Sequence, residues 1–222
     1  MTLTTNLDII RSNSPYLKYS HTNRFPIIFH SILEDFFLKK KIRSNFYVVT
    51  GGPGSGKTTL LCALRKKGVQ IVEEVGRQII QQQVSIGGTA LPWADKEKFR
   101  DLMLSLSINT YNQVFEAENP VFFDRGIPGL IGYSKLEGIR IPSCLEKAVK
   151  NFRYNQKIFI APPWQEIYQN DEERKQTFEI AVTTYEAITD AYLYYGYEIV
   201  EIPKTSLEKR VEFLLEQINF SI

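Results

Sequence analysis

The sequence is poor in the residues that carry imidazole and thiol chemistry. Only two histidines and two cysteines occur among 222 residues. Both histidines, His21 and His30, precede residue 44, so the rest of the chain has no imidazole for a catalytic triad or a zinc site. Cys62 and Cys144 lie outside any CxxC or zinc-type spacing, and we expect reduced, core-type thiols rather than a disulfide.

Long apolar runs and a strong charge of one sign are also missing. No run approaches the roughly 20 apolar residues that cross a membrane, and the first residues lack the basic-then-apolar pattern of a secretory signal. The net charge is +2, but residues 1–44 contain seven Lys/Arg and three Asp/Glu, whereas the remainder contains 20 and 22. We therefore expect a cytoplasmic protein without a transmembrane segment and without nucleic acid as its principal partner.

A change in composition near Ser44 divides the chain. Residues 1–44 read as an N-terminal extension with one amphipathic helix, in which apolar residues recur at helical spacing and three lysines follow. The apolar stripe either packs on the main domain, residues 45–222, or contacts a protein or a membrane surface through residues 25–41. Both readings stay open at this point.

From residue 46 onward, short apolar runs alternate with longer segments of helical periodicity, which is typical of a parallel α/β sheet. The predicted strands are 46–50, 69–73, 120–123, 157–160 and 198–202. The predicted helices are 57–67, 75–84, 95–115, 142–152, 175–195 and 206–219. Five such strands suffice for a nucleotide-binding sheet.

Residues 51–58, Gly-Gly-Pro-Gly-Ser-Gly-Lys-Thr, form a P-loop motif between a predicted strand and a predicted helix. Glycines let the backbone wrap around phosphates, so that N–H groups and the helix N-terminus face the negative charge. Lys57 is expected to reach the β- and γ-phosphates, and the Thr58 hydroxyl to bind Mg²⁺. The predicted ATP or GTP contacts are Gly51, Gly52, Pro53, Gly54, Ser55, Gly56, Lys57, Thr58 and Thr59.

Acidic residues close two of the other predicted strands. Asp124 follows an apolar strand and is expected to bind Mg²⁺ directly or through water, or else to pair with Arg125 in a turn. Arg125 can instead hold a phosphate or an acceptor. One of Glu73 and Glu74 is expected to point inward and accept a proton from an attacking hydroxyl, unless both merely begin a helix.

A proline-rich segment, residues 161–164, precedes a run of charged residues, 170–176. This region suits a lid over the site, and Arg174 or Lys175 can neutralise charge that develops during phosphoryl transfer. Charged residues at the start of a helix are also commonly just solvated, so this alternative stays open.

Together these motifs resemble the nicotinamide riboside kinase-like, NadR-type AAA-domain ATPases. The resemblance is carried by residues 49–60, 74–80, 90–95, 121–126, 161–164 and 174–179. It implies a three-layer α/β P-loop NTPase fold with a central parallel five-stranded sheet, in which the strand bearing Asp124 lies next to the P-loop strand. It also favours Glu74 over Glu73 as the inward carboxylate.

The leading functional expectation is Mg²⁺-dependent transfer of a phosphoryl group from ATP to a small hydroxyl-bearing acceptor. The candidate catalytic residues are Lys57, Glu74, Asp124, Arg125 and Arg174, with Arg77 as a further clamp. Thr58 and Asp124 are the candidate metal ligands. The alternative is a nucleotide-dependent switch or a simple ATPase or GTPase that acts through a protein or membrane partner.

Overall fold

A computed structural model describes residues 41–168 and 177–220. The strands are β1 (Lys41–Ile42), β2 (Phe46–Gly51), β3 (Gln70–Val72), β4 (Val121–Asp124), β5 (Phe152–Arg153), β6 (Lys157–Ala161) and β7 (Glu198–Glu201). The helices are α1 (Lys57–Lys66), α2 (Val75–Ile86), α3 (Lys96–Gln113), α4 (Gly129–Leu136), α5 (Ser143–Asn151), α6 (Phe178–Tyr194) and α7 (Leu207–Gln217), and a 3₁₀ turn spans Gln165–Ile167.

Five parallel strands form the main sheet in the order β3-β4-β2-β6-β7. Strand β4, which ends at Asp124, pairs directly with β2, which leads into the P-loop, and Asp124 lies opposite Val49. The predicted kinase-type order, with the aspartate strand next to the P-loop strand, is confirmed. All five predicted strands are present, and no strand end differs from the prediction by more than one residue.

Apolar side chains cover both faces of this sheet, which makes the fold three-layered. Strand β4 shows the arrangement, because Phe122 belongs to one buried cluster while Val121 and Phe123 belong to another. Helices α1 and α7 supply one cluster with Leu60, Leu61, Leu64, Val211, Leu214 and Leu215. Helices α3 and α6 supply the other with Tyr111, Ile188 and Tyr192. The predicted fold class is therefore confirmed.

Several local features differ from the sequence predictions. Helix α4 was not predicted, because Gly126, Pro128 and Gly129 give its start the composition of a turn. The helix predicted to reach residue 152 ends at Asn151, because Phe152 enters β5 and pairs with β1. Strand β1 thus lies ahead of the predicted boundary at residue 44. Cys62 and Cys144 are free, as expected, but both are exposed, so the prediction of core-type thiols is wrong.

Some sequence predictions fall on residues that the structure does not describe. The amphipathic stretch 25–41, apart from Lys41, lies outside the described residues, as do Arg174 and Lys175. Within residues 41–168 and 177–220, no helix combines the length and apolar character needed to cross a membrane.

Candidate active site

The P-loop connects β2 to α1, as the motif requires. The Lys57 ammonium donates hydrogen bonds to the Gly52 carbonyl at 2.6 Å and to Ser55 Oγ at 3.2 Å, and the residue is only 7% exposed. The Ser55 hydroxyl donates to the same carbonyl at 2.9 Å. The positive charge of Lys57 therefore lies within the loop that the motif uses to bind phosphate.

Close packing explains the first two glycines of the loop. A Cβ atom at Gly51 would collide with the carbonyl oxygen of Ala161 at the end of β6, and Gly51 also has a φ of +136°. A Cβ atom at Gly52 would collide with the carbonyl oxygen of Ala181 in α6. Only glycine fits both positions, so the loop is seated directly on β6 and α6.

The turn after β4 places Arg125 beside Glu74, which follows the neighbouring strand β3. Arg125 has a φ of +66°, and its N–H donates to the carbonyl of Val49 at 2.9 Å. Its Nε lies 3.2 Å from Oε1 of Glu74, and both side chains are largely buried. This contact brings Arg125 and Glu74 together. The roles of Arg125 as an anion clamp or as a partner of Asp124 stay predictions.

Glu73 and Glu74, which follow β3, differ in exposure and in partner. The Glu73 side chain is 73% exposed and accepts a hydrogen bond from Arg65 on α1 at 2.7 Å. The Glu74 side chain is 22% exposed and lines an internal cavity. The inward carboxylate is thus Glu74, as the resemblance implied; its catalytic role stays a prediction.

That cavity begins at Pro53 of the P-loop and runs between α2, α3 and α4, with a volume of about 380 Å³. Its apolar lining includes Trp93, Phe99, Met103, Leu130 and Tyr133. Its charged lining consists of Glu73, Glu74, Asp124, Arg125 and Glu137. Sequence reasoning missed this cavity, although Trp93 lies in a segment that carries the family resemblance. The cavity and the P-loop meet at one edge of the sheet.

The other candidate residues lie at the rim or outside the described chain. Thr58 and Thr59 begin α1 and are exposed. Arg77 is exposed on α2, one turn after Glu74. The structure therefore brings together Lys57, Glu74, Asp124 and Arg125 at the edge of the sheet, whereas Arg174 is not among the described residues.

Comparison with known families identifies the domain. A family model described as "AAA domain" matches residues 46–210. The chain belongs to this AAA domain family. No curated protein matches the chain.

Solved structures share the fold of this AAA domain. NadR in complex with NR aligns with a TM-score of 0.59 at 18% identity, covering 81% of this chain and 52% of NadR. Deoxyadenosine kinase from M. mycoides aligns with a TM-score of 0.54 at 15% identity, covering 78% of this chain and 98% of the kinase. Thymidylate kinase from Ehrlichia chaffeensis aligns with a TM-score of 0.53 at 14% identity, covering 78% of this chain and 98% of the kinase. The predicted class, an ATP-dependent kinase-like phosphotransferase or ATPase, agrees with this family and this fold.

Two buried tyrosines support the Asp124–Arg125 turn in the AAA domain. The Tyr154 hydroxyl accepts a hydrogen bond from the Ile127 N–H at 3.3 Å. A Cβ atom at Gly126 would lie 2.9 Å from the Tyr192 hydroxyl and 3.0 Å from the Tyr154 ring. Burial raises the pKa of both phenols far above the usual range, so they stay neutral. Sequence reasoning missed these residues, because isolated tyrosines give no positional signal.

The donor atoms in the AAA domain fit a magnesium ion that enters with a nucleotide. Thr58 offers a hydroxyl at the start of α1, and Asp124 offers a carboxylate at the end of the strand next to β2. Mg²⁺ takes such oxygen ligands and completes its shell with water and phosphate. In the described part of the chain, no group of three or more His, Cys, Asp or Glu is placed to hold a metal by itself. The metal roles of Thr58 and Asp124 stay predictions.

Proposed function

We propose that this AAA domain protein transfers the γ-phosphoryl group of ATP to a hydroxyl of a small, nucleoside-like acceptor. The observation that carries the proposal is the cavity of about 380 Å³ that begins at Pro53 and contains Glu74 and Arg125. A P-loop alone serves many reactions, but a concave pocket beside the phosphate loop suits a second small substrate. A carboxylate at its entrance suits proton removal from that substrate's hydroxyl.

The lining of the cavity favours a planar acceptor without a phosphate of its own. Trp93, Phe99 and Tyr133 offer aromatic surface for a ring. Among the described lining residues Arg125 is the one cation, and it faces Glu74. Asp124 adds negative charge, whereas the Glu137 carboxylate is paired with Lys96 at 2.6 Å. A phosphorylated acceptor would meet repulsion there, so a nucleoside suits the cavity better than a nucleotide.

In the proposed reaction Lys57 and the loop N–H groups hold the β- and γ-phosphates of ATP. Thr58 and Asp124 would hold Mg²⁺, which would supply charge neutralisation at the phosphates. Glu74 takes the proton of the acceptor hydroxyl while the oxygen of that hydroxyl forms a bond to the γ-phosphorus. The bond between the γ-phosphorus and the bridging oxygen, which leaves with ADP, breaks. Arg125 fixes the orientation of the Glu74 carboxylate through the 3.2 Å contact.

The test is ADP formation with a panel of nucleosides, nucleoside monophosphates and sugars. We expect stimulation by members of the nucleoside class. Glu74→Gln should lower the acceptor-dependent kcat by about 100-fold, the lower end of the range for general-base catalysis. Glu186→Gln is the matched control, because its side chain is exposed on α6 and is not among the residues that line the cavity, and it should change kcat by less than about twofold.

Two outcomes would contradict the proposal. One is ADP formation that no acceptor stimulates; the other is turnover that Glu74→Gln leaves unchanged. Either would favour the alternative, a nucleotide-dependent switch or a simple ATPase or GTPase with a protein or membrane partner.

A further inference from the structure

A buried arginine on the C-terminal helix contacts the phosphate loop. Arg210, on α7, is 4% exposed, and its Nη2 donates a hydrogen bond to the carbonyl oxygen of Ser55 at 3.2 Å. Its Nη1 lies 2.9 Å from the position that a Cβ at Gly56 would occupy. Its Cζ lies 5.9 Å from the centre of the Trp164 ring. The guanidinium is therefore enclosed between the loop and Trp164.

This guanidinium carries a charge that no carboxylate of the described residues balances. Among the residues that the structure describes, no carboxylate lies within ion-pair distance of Arg210. Burial lowers the pKa of Arg210, yet an arginine stays protonated in proteins. A buried cation without an anion is destabilising, whereas the neighbouring loop is built to receive phosphate. A phosphate bound on the inside of this loop would bring a negative charge close to the guanidinium.

The contact with Ser55 also fixes a peptide of the loop. In a planar trans peptide the C=O and the next N–H point in opposite directions. Since Arg210 holds the Ser55 carbonyl on its own side, the N–H of Gly56 must point to the other side, away from α7. N–H groups that converge on the inside of the loop are what bind phosphate. The guanidinium therefore determines the orientation of one such group.

We propose that Arg210 is a positioning residue of the nucleotide site, which orients the Ser55–Gly56 peptide and balances the charge of the bound phosphates. The proposal concerns phosphate binding by the P-loop and does not depend on which acceptor, if any, is phosphorylated. A side chain outside the eight-residue motif thereby becomes part of the phosphate site. Failure of the kinase proposal would leave it unaffected.

The test is calorimetric titration of the full chain with MgADP and with inorganic tripolyphosphate, which has no base or sugar. Arg210→Met should weaken the binding of both ligands by about 10-fold or more, because it removes a charge-assisted contact. Lys209→Met is the matched control on the same helix, where the side chain is exposed, and it should leave both Kd values within about twofold. Arg210→Lys keeps the charge but not the planar fork, so its Kd values should lie between those of Arg210→Met and the wild type.

The two ligands separate positioning from other roles. If Arg210→Met weakens MgADP but not tripolyphosphate, Arg210 acts on the base or sugar through Trp164, and the proposal is wrong. If both Kd values stay at the wild-type level, Arg210 has only a structural role. If Arg210→Met does not fold, Arg210→Lys decides: weaker tripolyphosphate binding supports the proposal, and wild-type binding overturns it.

Discussion

At the scale of single residues, Lys57 carries the positive charge inside the phosphate loop. Its ammonium is held by the Gly52 carbonyl and Ser55 Oγ, so Lys57→Ala removes the positive charge together with these two loop contacts. We expect the Kd for MgATP to rise about 100-fold, because charge-assisted contacts to phosphate are lost. Lys66→Ala, on the exposed end of the same helix, should bind as the wild type does. Wild-type affinity in Lys57→Ala would remove this residue from the site.

Asp124 provides a separate prediction, because its expected partner is the metal. It ends β4, beside the strand that leads into the P-loop. Asp124→Asn keeps the shape of the side chain and removes the charge, so the Mg²⁺ concentration for half-maximal nucleotide binding should rise about 10-fold. Asp190→Asn, on the exposed side of α6, is the control. An unchanged Mg²⁺ requirement, in a variant with the wild-type melting temperature, would rule out the metal role.

Single residues were predictable from the sequence where a motif fixes their surroundings. Lys57 belongs to an eight-residue pattern, and Glu74 belongs to a spacing that the family resemblance supplied. Arg210 and Tyr154 have no such pattern: an arginine on a helix usually faces solvent, and a lone tyrosine usually fills a core. Their proximity to the site depends on contacts between residues far apart in the chain, as with Arg210 and Ser55.

At the scale of elements, helix α4 depends on close contact with α6. A Cβ atom at Gly132 would lie 2.8 Å from the Ala187 carbonyl oxygen and 3.1 Å from the Cα of Ile188. Gly132→Ala should therefore lower the free energy of unfolding by about 1–3 kcal/mol, because neither backbone can move away cheaply. Gly129→Ala, in the same helix, has no atom within 4 Å and should raise it by up to about 1 kcal/mol. Urea unfolding measures the free energy of unfolding of both variants. Equal values for Gly132→Ala and Gly129→Ala would contradict the close packing of α4 on α6.

The sheet was predictable from the sequence, whereas α4 and the cavity were not. Buried parallel strands are continuous apolar runs, and five of them stand out between helical segments. Helix α4 begins among Gly126, Pro128 and Gly129, which locally favour a turn, and only packing on α6 overrides that preference. The cavity walls come from α2, α3 and α4. Their meeting is set by tertiary packing rather than by any local pattern.

At the scale of the whole domain, the P-loop and its sheet link nucleotide binding to stability. The loop is seated on β6 and α6, and α1 and α7 share one buried cluster with the sheet. Loss of the loop conformation therefore disturbs elements on both faces of the sheet. A ligand that binds only the folded loop must stabilise the domain as a unit.

This linkage gives a prediction for thermal unfolding of the full chain. MgADP at 100 times its Kd should stabilise the folded state by about 2.7 kcal/mol. For a domain of this size, that corresponds to a rise of about 5–10 °C in melting temperature. Lys57→Ala should keep only about 0.4 kcal/mol of this stabilisation at the same ligand concentration, because a 100-fold higher Kd then equals that concentration. Gly132→Ala should start from a lower melting temperature but show the wild-type rise on adding ligand, because Gly132 lies on α4 and not in the P-loop. If Lys57→Ala kept the full shift, the nucleotide would stabilise the protein from a site other than the P-loop.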